Sequence, residues 1–269
     1  MVIQMYGRKA IAGLSLLSAL LFCALAAPNA FAAHISENTT AFTCVKGGGS
    51  LDFTDPHCDV TTTPGKGEYG HELIPEGSTE IEVTNKETAN ATKGSTIFTL
   101  KSTLAGVKTH TDCNGAVGTG TIQNSTTGKN HKVFGTLKLT ITECNVTIPA
   151  KCKVKEPIVW ELNFNGVDEL NGAEKNMGLE FVPAGKNFTE ITFEGTECGL
   201  KGITFAVTGS AISTGGPGGN AKEGGATWNF SPEKEMQKLI WGNQPDEFNA
   251  SLTVRMKGGG NPISLTTVT

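Results

Sequence analysis

The chain lacks most of the signatures by which enzymes and nucleic-acid-binding proteins are recognised. It contains no C-x-x-C, H-E-x-x-H or G-x-S-x-G motif, so neither a common zinc site nor an α/β-hydrolase nucleophile is indicated. The 22 Lys and Arg residues are outnumbered by 26 Asp and Glu residues and are dispersed, which argues against a clustered basic face for nucleic acid. Helical patterns between the strand-like segments are also missing, so parallel βαβ units are not expected.

The long apolar run of the chain lies at its N terminus and has the three parts of an export signal. Met1–Lys9 carries two positive charges, and Ala10–Ala27 is apolar. Pro28 ends the run, and Ala30-Phe31-Ala32 places small residues where a signal peptidase reads them. We therefore predict a signal peptide over residues 1–32, with cleavage between Ala32 and Ala33. A retained membrane anchor is the alternative, against which Pro28 and the cleavage site both argue.

Seven cysteines become six once the signal is removed, because Cys23 lies inside it. An even set in an exported chain is typical of structural disulfides. The six are Cys44, Cys58, Cys113, Cys144, Cys152 and Cys198. We predict the pairs Cys44–Cys58, Cys113–Cys144 and Cys152–Cys198. Proximity along the chain supports the first pair, whereas fifteen pairings remain open for the set as a whole.

The composition predicts an all-β fold made of many short strands. Thr and Gly are very common, at 35 and 34 residues; Thr fits a half-buried strand, and Gly supplies the turns. We expect a single secreted domain over residues 33–269, built as an antiparallel β-sandwich or barrel with at most one short helix. Within it, residues 33–78 read as an irregular, disulfide-clipped segment and residues 79–269 as the β core. Two subdomains are the alternative.

Alternating apolar and polar residues mark the individual strands. The predicted strands are Thr79–Thr84, Ser95–Leu100, Lys132–Cys144, Pro157–Phe164, Leu179–Val182, Phe188–Phe193, Ile203–Ile212, Ala226–Phe230, Phe248–Met256 and Ile263–Thr267. Gly135 interrupts the alternation of its strand and is predicted to form a bulge. Ser231 and Pro232 could begin a helical turn.

Candidate catalytic and ligand-binding residues are few. Glu161 lies next to Trp160, and Glu190 and Glu194 share one strand face, so each could be drawn into carboxylate chemistry; solvated strand faces explain them equally well. The five histidines fit surface positions. We predict no catalytic residue, cofactor or metal site. Trp241 precedes a turn and is the tryptophan that we expect to be exposed for ligand contact.

Seven asparagines stand in N-x-S/T sequons. They are Asn38, Asn90, Asn124, Asn145, Asn187, Asn229 and Asn249. A secretory eukaryotic host would treat these as glycan acceptors, whereas a bacterial source would leave them bare.

From about residue 40 to the C terminus, the order of features resembles a family of uncharacterised secreted bacterial proteins with a signal peptide and a cysteine-bearing β domain. The carrying segments are Thr142-Glu143-Cys144, the short step to Cys152, Phe193 to Cys198, Val207-Thr208-Gly209-Ser210, and Gly258-Gly259-Gly260-Asn261-Pro262-Ile263 with Leu265-Thr266-Thr267. The resemblance implies secretion from a Gram-positive-type cell and transfers no catalytic residue.

Two functions from different classes follow from the sequence. The first is a secreted or surface-associated, non-catalytic β module with a structural or binding role, and cell-surface or polysaccharide contact is the partner class we consider. The alternative is a secreted hydrolase acting on polysaccharide or ester substrates. We predict no nucleic-acid partner and no membrane span in the mature chain. A membrane-associating β protein is a third hypothesis.

Overall fold

Antiparallel strands build the chain throughout the part that the computed structural model describes, which is residues 34–35, 39–56, 58, 60–85, 98–125, 132–168, 178–215, 226–230, 238–258 and 260–267. In chain order the strands are β1 (His34–Ile35), β2 (Thr39–Lys46), β3 (Tyr69–Leu73), β4 (Thr79–Asn85), β5 (Phe98–Leu104), β6 (Val107–Ser125), β7 (Lys132–Ile148), β8 (Lys153–Val154), β9 (Ile158–Asp168), β10 (Gly178–Pro183), β11 (Thr189–Glu194), β12 (Thr204–Thr208), β13 (Ala211–Gly215), β14 (Ala226–Phe230), β15 (Ile240–Trp241), β16 (Gln244–Pro245), β17 (Glu247–Met256) and β18 (Ile263–Thr267). These residues contain no helix, so the predicted all-β antiparallel fold is confirmed. The helical turn predicted at Ser231 lies outside the described residues.

The main sheet closes on itself as a barrel. Its circuit runs β9, β10, β13, β14, β17, β4, β6, β7 and back to β9. β5 occupies the same place in the circuit as β4, because both strands pair with β17 on one side and with β6 on the other. Closure removes the exposed edges that an open sheet of this size would present.

Apolar and aromatic side chains fill the interior of the barrel. The rings of Phe98 and Phe248 lie 5.1 and 5.3 Å from that of Trp160, and Phe188 reaches the same indole at 5.2 Å. Edge-to-face contacts of this kind add to the stabilisation from burial. The cavity between these rings has a volume of about 10 Å³ and an apolar lining, which is room for about one water molecule. The described interior side chains are therefore packed together as a hydrophobic core.

A three-stranded sheet, in the order β18-β2-β3, contacts the barrel at the end where β6 and β9 finish and β7 begins. The first six side chains of β2 are all buried, so both faces of this strand are covered. The side chain of Asn124, near the end of β6, ties the sheet to the barrel. Its Oδ1 accepts a hydrogen bond from the Ala41 N–H at 2.8 Å, and its Nδ2 donates to the carbonyl oxygens of Ala41 at 2.8 Å and Ile74 at 2.7 Å.

A second small sheet has the strand order β16-β15-β12-β11-β8, and the polypeptide passes from it directly into the barrel. β12 belongs to the small sheet and β13 to the barrel, with Gly209 between them. Gly209 has a φ of +103°, and an added Cβ there would clash with the carbonyl oxygen of Lys238. Glycine therefore permits the change of direction between the two sheets.

Three disulfides join the pairs expected from the sequence. Cys44–Cys58 ties β2 to the following loop, Cys113–Cys144 links directly opposed residues of β6 and β7, and Cys152–Cys198 links the turns after β7 and β11. Each closes a loop of 14 to 46 residues, which contributes on the order of 3 to 4 kcal/mol to stability. Three disulfides indicate an oxidising, non-cytoplasmic compartment.

Several strands differ from those expected. β6 was not predicted as a strand, and the expected strand over 203–212 is divided into β12 and β13. The segment expected to be irregular contains β2 and β3, which are ordered because β2 pairs with β18 from the other end of the chain. Gly135 forms no bulge: it pairs in regular register with Ile122 and Phe164. Its missing side chain makes room for the Phe164 ring.

Candidate functional site

Trp241 is fully buried, so the expectation that its ring is exposed is wrong. The residue belongs to β15 and pairs with Val207 of β12. Its indole stacks on the ring of Phe193, with centroids 5.9 Å apart and planes 16° apart. The turn that follows it is exposed, but the ring itself is buried against Phe193 and belongs to the hydrophobic core.

The other residues considered for carbohydrate chemistry do not form a catalytic pair. Trp160 is buried inside the barrel, and Glu161 on the outer face forms an ion pair with Lys138 at 2.7 Å. Glu190 and Glu194 are exposed on β11. Four residues along a strand span about 13 Å, which exceeds the separation of about 5 to 10 Å that paired carboxylates use in glycoside hydrolysis.

Seven polar side chains lie together on the outer face of the barrel, where β17, β5, β6 and β7 run side by side. We call this group the polar patch; it consists of Asn249, Thr99, Asp112, Asn145, Glu247, Lys101 and His110. The first four residues are direct cross-strand neighbours, and the last three form a second row. At about 4.8 Å between strands, the first row is about 14 Å long.

The centre of the polar patch is organised by one carboxylate. Asp112 Oδ1 accepts a hydrogen bond from the Thr99 hydroxyl at 2.8 Å and lies 3.0 Å from His110 Nε2. His110 and Asp112 are 28% and 22% exposed, so solvent and ligands can reach both. The Thr99 hydroxyl bonds to the acid rather than to the imidazole, so the three groups do not form the relay in which histidine activates a hydroxyl.

Charges in the polar patch are nearly balanced. Lys101 and Glu247 form a loose ion pair with Nζ and Oε2 3.9 Å apart, and both side chains are about half exposed or more. Amide groups of Asn249 and Asn145 stand at the two ends of the first row and are exposed. The surface therefore offers several hydrogen-bond donors and acceptors with little net charge.

The position of Asn145 is fixed by an irregularity in β7. Glu143 has a φ of +57°, a left-handed backbone conformation that is unusual within a strand. The backbone N–H groups of Glu143 and Cys144 both donate to the Glu156 carboxylate, each at 2.8 Å. A carboxylate that accepts two backbone donors holds this conformation, and the adjacent disulfide fixes β7 to β6.

Asp246 lies behind the second row of the polar patch and is 8% exposed. Its Oδ1 accepts a hydrogen bond from the backbone N–H of Lys101 at 3.1 Å. Its Oδ2 is buried without a partner among the described residues. Burial raises the pKa of Asp246 to about 8; the N–H groups of Lys101 and Glu247 oppose that rise, and the charge of Glu247 adds to it.

His71 is held between two aromatic rings at the β2–β3 sheet. Its ring centroid lies 3.9 Å from that of Phe42 and 4.6 Å from that of Phe53. Burial lowers the pKa of His71, and the nearby charge of Asp52 partly opposes this. The arrangement holds the loop after β2 against the sheet, in the region of the Cys44–Cys58 disulfide.

The described residues contain no group of three or more His, Cys, Asp or Glu side chains that could hold a metal ion. Over the same ranges, no helix is long and apolar enough to cross a membrane. No protein-family model, curated protein or solved structure matches the chain.

Proposed function

We propose that the mature chain is an exported, non-catalytic β module that binds a hydroxyl-rich polymer, such as a cell-surface polysaccharide, through the polar patch. The observation that carries this proposal is the row of hydrogen-bonding side chains that crosses four strands of the outer face, whereas the described interior side chains are packed as a core. Hydroxyl groups of a polysaccharide both donate and accept hydrogen bonds, as do the Asn, Thr and His side chains of the patch.

Export is the second part of the proposal. The three disulfides support an oxidising compartment, and the N-terminal segment reads as a cleaved signal. The resemblance to uncharacterised secreted bacterial proteins agrees with this. N-terminal sequencing of protein recovered from the culture medium tests it: we expect a chain that starts at Ala33, and a chain that starts at Met1 would overturn the cleavage.

Weak affinity is expected for this mode of binding. All three tryptophans are buried, so no indole stacks on a sugar ring, and hydrogen bonds to solvated groups contribute modestly. We expect dissociation constants in the millimolar to upper micromolar range, about −4 to −6 kcal/mol.

Affinity electrophoresis in gels containing a dissolved polysaccharide tests the site. Wild-type protein should migrate more slowly in the gel that contains its ligand, and the double variant Asn145→Ala, Asn249→Ala should lose that retardation. Asn163→Ala, on the outer face of β9 and outside the patch, is the matched control. If every polysaccharide that retards the wild type also retards the double variant and Asn163→Ala equally, the patch is not the binding surface.

A secreted hydrolase is the second candidate, and the His110–Asp112 pair is the observation that favours it. A histidine held by a carboxylate is a common acid–base arrangement. Release of product from polysaccharide or ester substrates by the wild-type protein, lost in His110→Ala, would establish this function in place of the first.

A further inference from the structure

The corner at which the small sheet meets the barrel is held by Asp246. This residue follows β16 and precedes β17, and its backbone N–H donates to the carbonyl oxygen of Leu239 at 3.1 Å. Its carboxyl group reaches across to β5 and accepts from the Lys101 N–H. The Ser102 hydroxyl adds a parallel contact to the carbonyl oxygen of Pro245 at 3.1 Å. The side chain of Asp246 thus joins the β16–β17 corner to β5, and its backbone N–H joins the corner to Leu239, which precedes β15.

The surroundings of this carboxyl group favour its neutral form. The group is more than nine-tenths buried, and Oδ2 has no hydrogen-bond partner among the described residues. The ionisable side chains next to it are Lys101 on β5 and Glu247 on β17, which pair with each other at the surface; β15 and β16 contain none. An ionised carboxylate in this position would lack a counter-ion and would be costly to bury.

We propose that Asp246 is a proton-operated latch: the neutral acid holds the β15–β16 corner against the barrel, and loss of its proton opens that corner. In the open form the carboxylate is solvated and ionises in its ordinary range, near pH 4. In the closed form it keeps its proton up to about pH 8. At a pH between these two values, opening of the corner releases one proton. Each unit of rising pH therefore favours the open form about tenfold.

The direction of this effect follows from linkage. A carboxyl group whose pKa is raised by folding stabilises the closed form fully below its ordinary pKa, and that stabilisation is lost as the pH rises to the raised value. We therefore expect opening to increase about a hundredfold from pH 5 to pH 7 and to level off above about pH 8. The latch does not depend on any ligand of the polar patch.

Hydrogen exchange of the mature, oxidised protein tests the latch. The measured quantity is the protection factor, corrected for the intrinsic pH dependence of exchange, of peptides covering residues 239–248. We expect about tenfold loss of protection per pH unit between pH 5 and pH 8 in the wild type, and a pH-independent value in Asp246→Asn. Glu247→Gln, which removes the neighbouring exposed acid, should retain the wild-type slope.

Two results would overturn the latch. A wild-type slope near zero for residues 239–248 would do so without any variant, and so the test stands even where Asp246→Asn does not fold. The same slope in a β9 peptide covering residues 158–162 would mean that the proton is released by global unfolding and not by opening of the corner.

Discussion

Removal of the Asn124 side chain should be among the most damaging single substitutions in this protein. The amide makes three hydrogen bonds, each of 2.7 to 2.8 Å, to the backbone of Ala41 and Ile74. It is 3% exposed, so water does not replace those contacts. Asn124→Ala therefore leaves buried backbone groups without partners and loosens the β18-β2-β3 sheet from the barrel.

The magnitude follows from counting the groups that lose their partners. The Ala41 carbonyl oxygen keeps the Ile74 N–H at 3.0 Å, whereas the Ala41 N–H and the Ile74 carbonyl oxygen lose the amide. Each unsatisfied buried group costs about 1 to 3 kcal/mol. We expect a loss of roughly 4 kcal/mol in the free energy of unfolding, which corresponds to a decrease of about 8 to 16 °C in Tm for a chain of this size.

Guanidinium unfolding followed by tryptophan fluorescence, with the disulfides intact, measures this loss. Asn124→Asp is a second informative variant: it keeps an acceptor for the Ala41 N–H but points an oxygen at two carbonyl groups, so we expect its stability to fall as well. Asn145→Ala is the matched control, because this exposed asparagine should change stability by less than about 0.5 kcal/mol. An Asn124→Ala variant within about 1 kcal/mol of the wild type would refute the role assigned to the amide.

Two further predictions concern His71 and Gly135. Because the fold lowers the pKa of His71, the unfolded chain binds the extra proton first, and the wild type should lose stability relative to His71→Phe as the pH falls below about 6.5. The urea midpoints of both proteins at pH 7.5 and 5.5 measure this. A difference between the two midpoints that is the same at both pH values would contradict it. Gly135→Ala places a Cβ against the Thr121 carbonyl oxygen and the Phe164 ring and should cost roughly 3 kcal/mol or more. Gly185→Ala, which meets open space, is its control in thermal unfolding, and equal Tm values for the two variants would refute the steric argument.

Fold class was predictable from the sequence because it depends on local pattern. Alternation located β7 and β9 to within a few residues, since one face of each strand is buried in the barrel. β6 was missed because most of its residues are Gly, Thr and other polar types, which resemble a loop in composition. Its strand character comes from pairing with β4, β5 and β7, and pairing partners distant in sequence leave no local signal.

The polar patch was not predictable for the same reason. Its residues come from four strands, and the sequence shows only the pairs that lie two apart on one strand, such as His110 and Asp112, and not which strands are neighbours. Asp246 left a clearer signal: it stands in phase with Phe248 and Ala250, so extending the predicted strand by two residues places it on the buried face. Trp241 was assigned to the surface because its turn is polar, and the sequence alone did not show that Phe193 covers its ring.

Recovery of the bound polymer after incubation distinguishes a binding module from a hydrolase. The mature wild-type protein is incubated with a polysaccharide that retards it, and the polymer is then separated and its chain length and ester content are measured. We expect a polymer of unchanged length and composition, recovered from a complex that the Asn145→Ala, Asn249→Ala variant does not form. Shortened chains or released acid, absent with His110→Ala, would contradict a binding module and establish a hydrolase.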